Sequence, residues 1–300
     1  MRISLLASII IVIGASAWGV YWIPVREIEA AGIVSGYAVA VFNAPAFLMA
    51  VAVCLFFPRP EPGLARLIFL GGLCAGLGLT FYAMGLVLTT VVRATLLFYL
   101  TPIWSTLLAI LILNERPGLS RWLALALALA GLALTLGATP ADIADGFGLG
   151  EALALISGLV WAGAAVAIRM IGETAPPARA IDVRLVAHMY LWIVIVAPLT
   201  AWATSAPTPS FGMAVSAITP LVLALSVVIL VSLYAIFWAV GRLSPGRSGL
   251  LMMSEVVVAV ITAAILLPEE AMNAREWIGA ALIVGAGAVE VLGGEREDAA

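Results

Sequence analysis

The chain has 300 residues, 64% of them hydrophobic and only 10% charged. Soluble domains carry about 25% charged and about 45–50% apolar residues, so this chain, with a mean hydropathy of +1.18, reads as a membrane protein. Net charge is −3, and all fourteen basic residues are arginines with no cluster or tail, which argues against nucleic acid as a partner.

Apolar runs of spanning length recur along the whole chain. About 20 such residues cross a bilayer, and the pattern predicts ten helices, over 3–25, 33–57, 64–88, 91–113, 119–137, 147–171, 181–203, 215–240, 247–267 and 275–293. The first run resembles a secretory leader at its start. It continues past Trp18 to Val25 with no small-residue cleavage site after a short apolar core, so it reads as a retained helix. Cys54 and Cys74 lie inside apolar runs without metal-ligand neighbours and read as small packing residues. Gly72 and Gly76 stand four apart, a spacing that lets helices pack closely. The connections, such as "FPRPEPG" and "RLSPGR", are short and rich in Pro, Gly and charge. The period-two alternation of a membrane β-barrel is absent.

Arginine placement sets the expected orientation. With the N-terminus in the cytoplasm, eleven arginines fall inside and three (Arg26, Arg93 and Arg275) outside. Both termini are therefore expected to be cytoplasmic.

The two halves repeat. "RATLLFYLTPIWSTLLAILILNE" (93–115) lies over "RSGLLMMSEVVVAVITAAILLPE" (247–269) at an offset of 154, each opening on Arg and ending on Glu. A Trp, at 122 and 277, then opens a small-residue helix in each half. "SAWGV" (16–20) corresponds to "LVWAG" (159–163) in the first helix of each half. Five is odd, so the second copy enters the membrane from the opposite side. Inverted repeats of this kind build many transporters, with the substrate site near the midplane between the copies. The expected fold is all-α, ten transmembrane helices in two inverted five-helix repeats, over 1–139 and 146–294.

The sequence resembles the drug/metabolite transporter superfamily in its EamA-type branch. The resemblance rests on the 5+5 duplication, Trp18-Gly19 with the looser Trp161-Ala162-Gly163, the helix-end Glu115 and Glu269, and "LLFYLTPIWSTLLAILILNERPGLSRWLALALALAGLAL". It implies transport of small metabolites such as amino acids, amines, nucleotide-linked compounds or quaternary ammonium ions, but not which of them. The expected setting is a bacterial inner membrane, as monomer or homodimer, with no cofactor and no metal.

Glu255 is the foremost site candidate. It lies eight residues after Arg247, about 12 Å into its helix, where a carboxylate is costly and functional by default. It suits a counter-charge for a cationic substrate or a proton carrier; a structural pair with a neighbouring cation is the alternative. Thr101-Pro102 stands at the Glu255 position of the first copy, and its proline frees a carbonyl mid-membrane. His188, the single histidine, is a second proton-coupling candidate. Aromatic side chains around a carboxylate hold organic cations; Trp18, Tyr82, Tyr99, Trp161 and Trp238 are the deep ones, and Asn43 has comparable depth. Trp22, Trp122, Trp202 and Trp277 read as interfacial belt residues. Arg93 and Arg247 are expected to snorkel to headgroups.

The expected activity is secondary transport by alternating access of a small amine-bearing metabolite, with the proton as candidate coupling ion. The alternative is a membrane enzyme or lipid-handling protein using Glu255 and His188 as an acid/base pair. Against it stand the absence of a second mid-membrane carboxylate, a metal cluster or a nucleophile motif.

Overall fold

The computed structural model describes residues 3–89, 91–135, 147–174, 183–266 and 273–297. Among them, nine helices are long and apolar enough to cross a membrane, and Leu119–Thr135 is a shorter apolar tenth. The chain is an all-helical membrane protein of two inverted repeats.

Helix 1 of the first repeat is broken into α1 (Ile3–Trp18) and α2 (Trp22–Ala30). Pro24 is the cause: it has no N–H for the Val20 carbonyl and its ring crowds that carbonyl. Ile23 N–H donates to Val20 O instead, at 3.1 Å, and Tyr21 N–H to Trp18 O at 2.9 Å. Next come α3 (Gly36–Cys54) and α4 (Pro62–Leu88). Helix 4 is also broken, into α5 (Val91–Phe98) and α6 (Thr101–Leu113), and α7 (Leu119–Thr135) closes the repeat. Pro102 displaces its helix from the Phe98 carbonyl, which accepts the Thr101 hydroxyl.

The second repeat runs α8 (Leu149–Thr174), α9 (Val183–Ala203), a short α10 (Phe211–Ser216), α11 (Pro220–Val240), α12 (Pro245–Met252), α13 (Ser254–Leu266) and α14 (Ala274–Glu297). Its fourth helix breaks after Met252, 154 residues beyond the break after Phe98. No proline stands there. Met253 takes a turn conformation, accepting Val256 N–H at 3.1 Å while its own N–H reaches Leu250 O at 3.2 Å. The loss of Pro102's counterpart left one irregular helix predicted; both copies are irregular.

The helices pack as cross-repeat pairs, with α4 along α8, α3 along α9, and α7 antiparallel to α14. The glycine pair serves the α4–α9 contact, because a Cβ on Gly72 would meet His188 Cβ at 2.4 Å and one on Gly76 would meet Trp192 Cβ at 2.6 Å. Outward side chains such as Leu55, Leu111, Trp202, Ile265 and Leu292 are exposed, as a lipid-facing surface requires.

One ion pair ties α7 to α14. Arg121 reaches Glu290 at 2.8 Å, with side-chain exposures of 8% and 2%. Arg121 also donates to Ser244 Oγ at 3.0 Å, and Ser244 caps α12. Glu290 is a buried carboxylate that the sequence reading passed over. Removing one partner of a buried pair costs about 3–5 kcal/mol, because the other charge stays buried alone, whereas apolar replacement of both is near neutral. Arg121→Ala is therefore expected to lower thermal stability in detergent by about that amount, and Arg121→Leu with Glu290→Leu to recover most of it.

Candidate functional site

The breaks converge. Trp18 at the end of α1, Phe98 and Tyr99 at the α5–α6 junction, and Met252 and Glu255 across the α12–α13 junction all line one cavity. Leu79 and Tyr82 from α4, Thr101 and Pro102 from α6, Trp161 from α8, and Leu233 and Ile236 from α11 complete it, with Gly249 in its floor. The space within it that admits water-sized molecules is about 50 Å³. Both repeats contribute walls, as an inverted-repeat transporter requires.

Close helix crossings place these walls. A Cβ on Gly19 would lie 2.8 Å from the Glu255 carbonyl oxygen and 2.7 Å from Val258 Cβ, so Gly19 lets α1 rest on the start of α13. In the other half, a Cβ on Gly158 would lie 2.7 Å from the Phe98 carbonyl oxygen. Each repeat's first helix thus packs against the broken helix of the other repeat.

Glu255 sits in the first turn of α13. The positive end of a helix dipole favours a carboxylate there. Tyr99, Tyr21 and Tyr82 lie within range of its charge. Thr101 occupies the matching first turn of α6, so the two half-helices present unlike groups, a carboxylate and a hydroxyl, to one space. The aromatic wall is continuous: Tyr82 stacks on Phe98 at 4.5 Å, and Phe98 meets Tyr99 edge-on at 5.1 Å. Among the described residues lining the cavity, none is basic.

Of the predicted site residues, Glu255, Trp18, Trp161, Tyr82, Tyr99 and Thr101 come together in this cavity. Three stand outside its lining. Asn43 is 1% exposed and donates to the Tyr21 hydroxyl and to Val39 O, each at 2.7 Å. Trp238 lies under the Arg242 guanidinium, 4.0 Å from its ring centroid. His188 meets Phe69 edge-on at 5.5 Å on the α4–α9 contact, so it and Glu255 do not share the cavity.

Charged residues at the helix ends are more engaged than snorkelling implies. Arg93 pairs with Glu151 at 3.0 Å, and Thr89 also donates to that carboxylate. Arg247 is 4% exposed and donates to Ser8 Oγ at 3.1 Å. Burial beyond the end of α6 pushes the Glu115 carboxyl up from its usual range, against the pull of Arg121 and Arg169. Glu269 lies outside the described residues. Sequence reasoning missed Glu151 and Glu290 as pairing partners. The signal for Glu290 was a lone carboxylate inside "AGAVEVL".

Fold and cavity together define an inverted-repeat membrane transporter. The profile of the EamA-like transporter family matches residues 5–137 and 148–289; the chain belongs to that family and is a transporter of the general drug/metabolite type. No curated protein matches it in sequence. A solved structure titled only "Crystal structure of protein" is similar in fold, with a TM-score of 0.72 and 22% identity, over 95% of this chain and 98% of its own.

The crossings make a test. Gly158→Ala is expected to lower thermal stability by about 1–3 kcal/mol through overpacking on the Phe98 carbonyl. Gly163→Ala, whose Cβ would meet only Cys74 Sγ at 3.9 Å, is expected to be neutral or to stabilise by up to about 1 kcal/mol from helix propensity.

Proposed function

We propose that the chain is a secondary transporter that moves a small amine-bearing metabolite by alternating access. The substrate is an amino acid or an organic cation, quaternary ammonium included, and Glu255 links its passage to protons. The observation that carries this reading is a single carboxylate set among aromatic side chains from both repeats, with no basic side chain among the described lining. A cation entering this space exchanges its hydration shell for ring faces and one carboxylate, the chemistry by which proteins hold ammonium groups. The arginine asymmetry supports cytoplasmic termini, in a bacterial inner membrane.

Purified protein in liposomes, tested with radiolabelled choline, tetraethylammonium and amino acids, checks the proposal. Accumulation of at least one amine under an imposed gradient is expected, and no movement of any of them would count against it. Glu255→Gln is expected to abolish that accumulation and its pH dependence. Trp18→Ala is expected to weaken amine binding by about 1–2 kcal/mol, roughly 5–30-fold, the size of a desolvated cation–π contact. Unchanged binding would remove Trp18 from the site.

A further inference from the structure

A groove runs along the outer side of the molecule, separate from the cavity. Its floor is the broken fourth helix of the second repeat, where Leu250, Leu251 and Ser254 line it. Gly249, Met252 and Glu255, on the other face of the same segment, line the cavity. α1 packs on this segment from one side and α14 from the other. The groove is the gap between those two banks, with Val12 on α1 and residues from Ile283 to Leu292 on α14. About 450 Å³ of it admits water-sized molecules, against about 50 Å³ in the cavity. Its rim is exposed, with Val284 at 60% and Leu292 at 64%, on helices long and apolar enough to span the membrane.

The walls select hydrocarbon. Among the described residues lining the groove, Ser254 alone has a polar side chain, and its hydroxyl donates to the Val12 carbonyl at 3.2 Å. A space walled by apolar groups stays dry and takes apolar guests. The length of the groove fits a lipid tail. Ile283 to Leu292 spans about 14 Å of helix at ~1.5 Å per residue, the depth of one leaflet in a hydrocarbon core of about 30 Å. The leaflet is the one on the Arg247 face, since Leu250 follows Arg247 by three residues. The width excludes a helix. A helical segment of that length, roughly 10 Å across with its side chains, fills about 1,000 Å³, more than twice the groove. A second copy of the chain could not sink a helix into it, whereas one acyl chain can lie along it.

We propose that this groove binds one acyl chain of a membrane lipid, lying along α14 and against the back of the segment whose front carries Glu255. Gly287 makes the room. A Cβ there would meet only Leu251 Cδ2, at 3.9 Å, so a side chain at 287 grows into the groove rather than into packed helix. Gly285 stands outside the lining, and a Cβ on it would meet nothing within 4 Å. The site holds whatever the cavity carries.

The test is photolabelling of the full-length protein in vesicles of phosphatidylcholine that carries a diazirine midway along one acyl chain, with the labelled residues mapped by mass spectrometry. Val12, Leu251 and Val291, one from each wall, are expected to be labelled several-fold more than Val231 and Leu48, which stand outside the groove and are 61% and 66% exposed. Leu251, 2% exposed, is within reach only of a chain seated in the groove. Gly287→Phe is expected to bring the groove label down to the level of Val231, and Gly285→Phe to leave it unchanged. Phe is a better helix former than Gly, so both variants keep α14. Groove residues labelled no more than Val231 in the unaltered protein would overturn the proposal, and a second copy closing the groove would give that result. A groove label that survives Gly287→Phe, or that falls equally in Gly285→Phe, would overturn it as well.

Discussion

A backbone carbonyl or amide left open in hydrocarbon costs several kcal/mol, so a spanning chain breaks its helices only where protein or a cavity takes up the freed groups. This constraint organises the structure. The breaks at Gly19–Tyr21, at Tyr99–Leu100 and at Met253 gather beside one cavity. Each freed group is answered locally: Val20 O by Ile23 N–H, Phe98 O by the Thr101 hydroxyl, Met253 O by Val256 N–H. The same interruptions that would destabilise a lipid-facing helix are therefore tolerated here, around a shaped and largely apolar interior with one carboxylate.

The repeats solve one problem with different residues. In the first, Pro102 breaks the helix and Thr101 takes up the carbonyl. In the second, the break has no proline, α1 lies directly on the new helix start through Gly19, and a carboxylate stands in the first turn. Glu255 there recovers from the half-helix dipole a part of what it loses in hydration, so the break partly offsets the cost of its own charged group. Two-fold architecture thus yields a one-signed site, which a strict repeat could not do.

Much of the fold was legible because a spanning run is a strong signal and the 154-residue offset fixes the repeat. The breaks caused by Pro24 and Pro102 were legible in principle, since proline acts through local geometry. The break at Met253 was not, because packing against α1 sets it and no residue announces it. The site was legible in depth but not in direction. Trp18, Trp161 and Glu255 reach the cavity, whereas Asn43, Trp238 and His188, as eligible by type, turn elsewhere. In a bilayer the lipid face and the packing face of a helix are both apolar, so the stripe that orients a soluble helix is missing. Glu290 was overlooked for a related reason. Its partner Arg121 lies 169 positions away in sequence, and only the antiparallel pairing of α7 with α14 brings them together.

The pairing of ends bears on movement. Arg93 with Glu151 and Thr89 joins the repeats at one membrane face. Arg121 with Glu290 and Ser244, and Arg247 with Ser8, join them at the other. All of these contacts are made at once in this conformation, and each pulls α5 or α12, the half-helices that lead to the cavity, toward the opposite repeat. In the alternating-access cycle proposed above, access from either face requires the contacts on that face to part while those on the other hold. Parting a buried ion pair exposes charge to a poor solvent unless water enters behind it, so opening and hydration of a face must occur together. On that reading a cavity with Glu255 at one of the helix breaks, between the two sets of contacts, offers the same carboxylate to either opening.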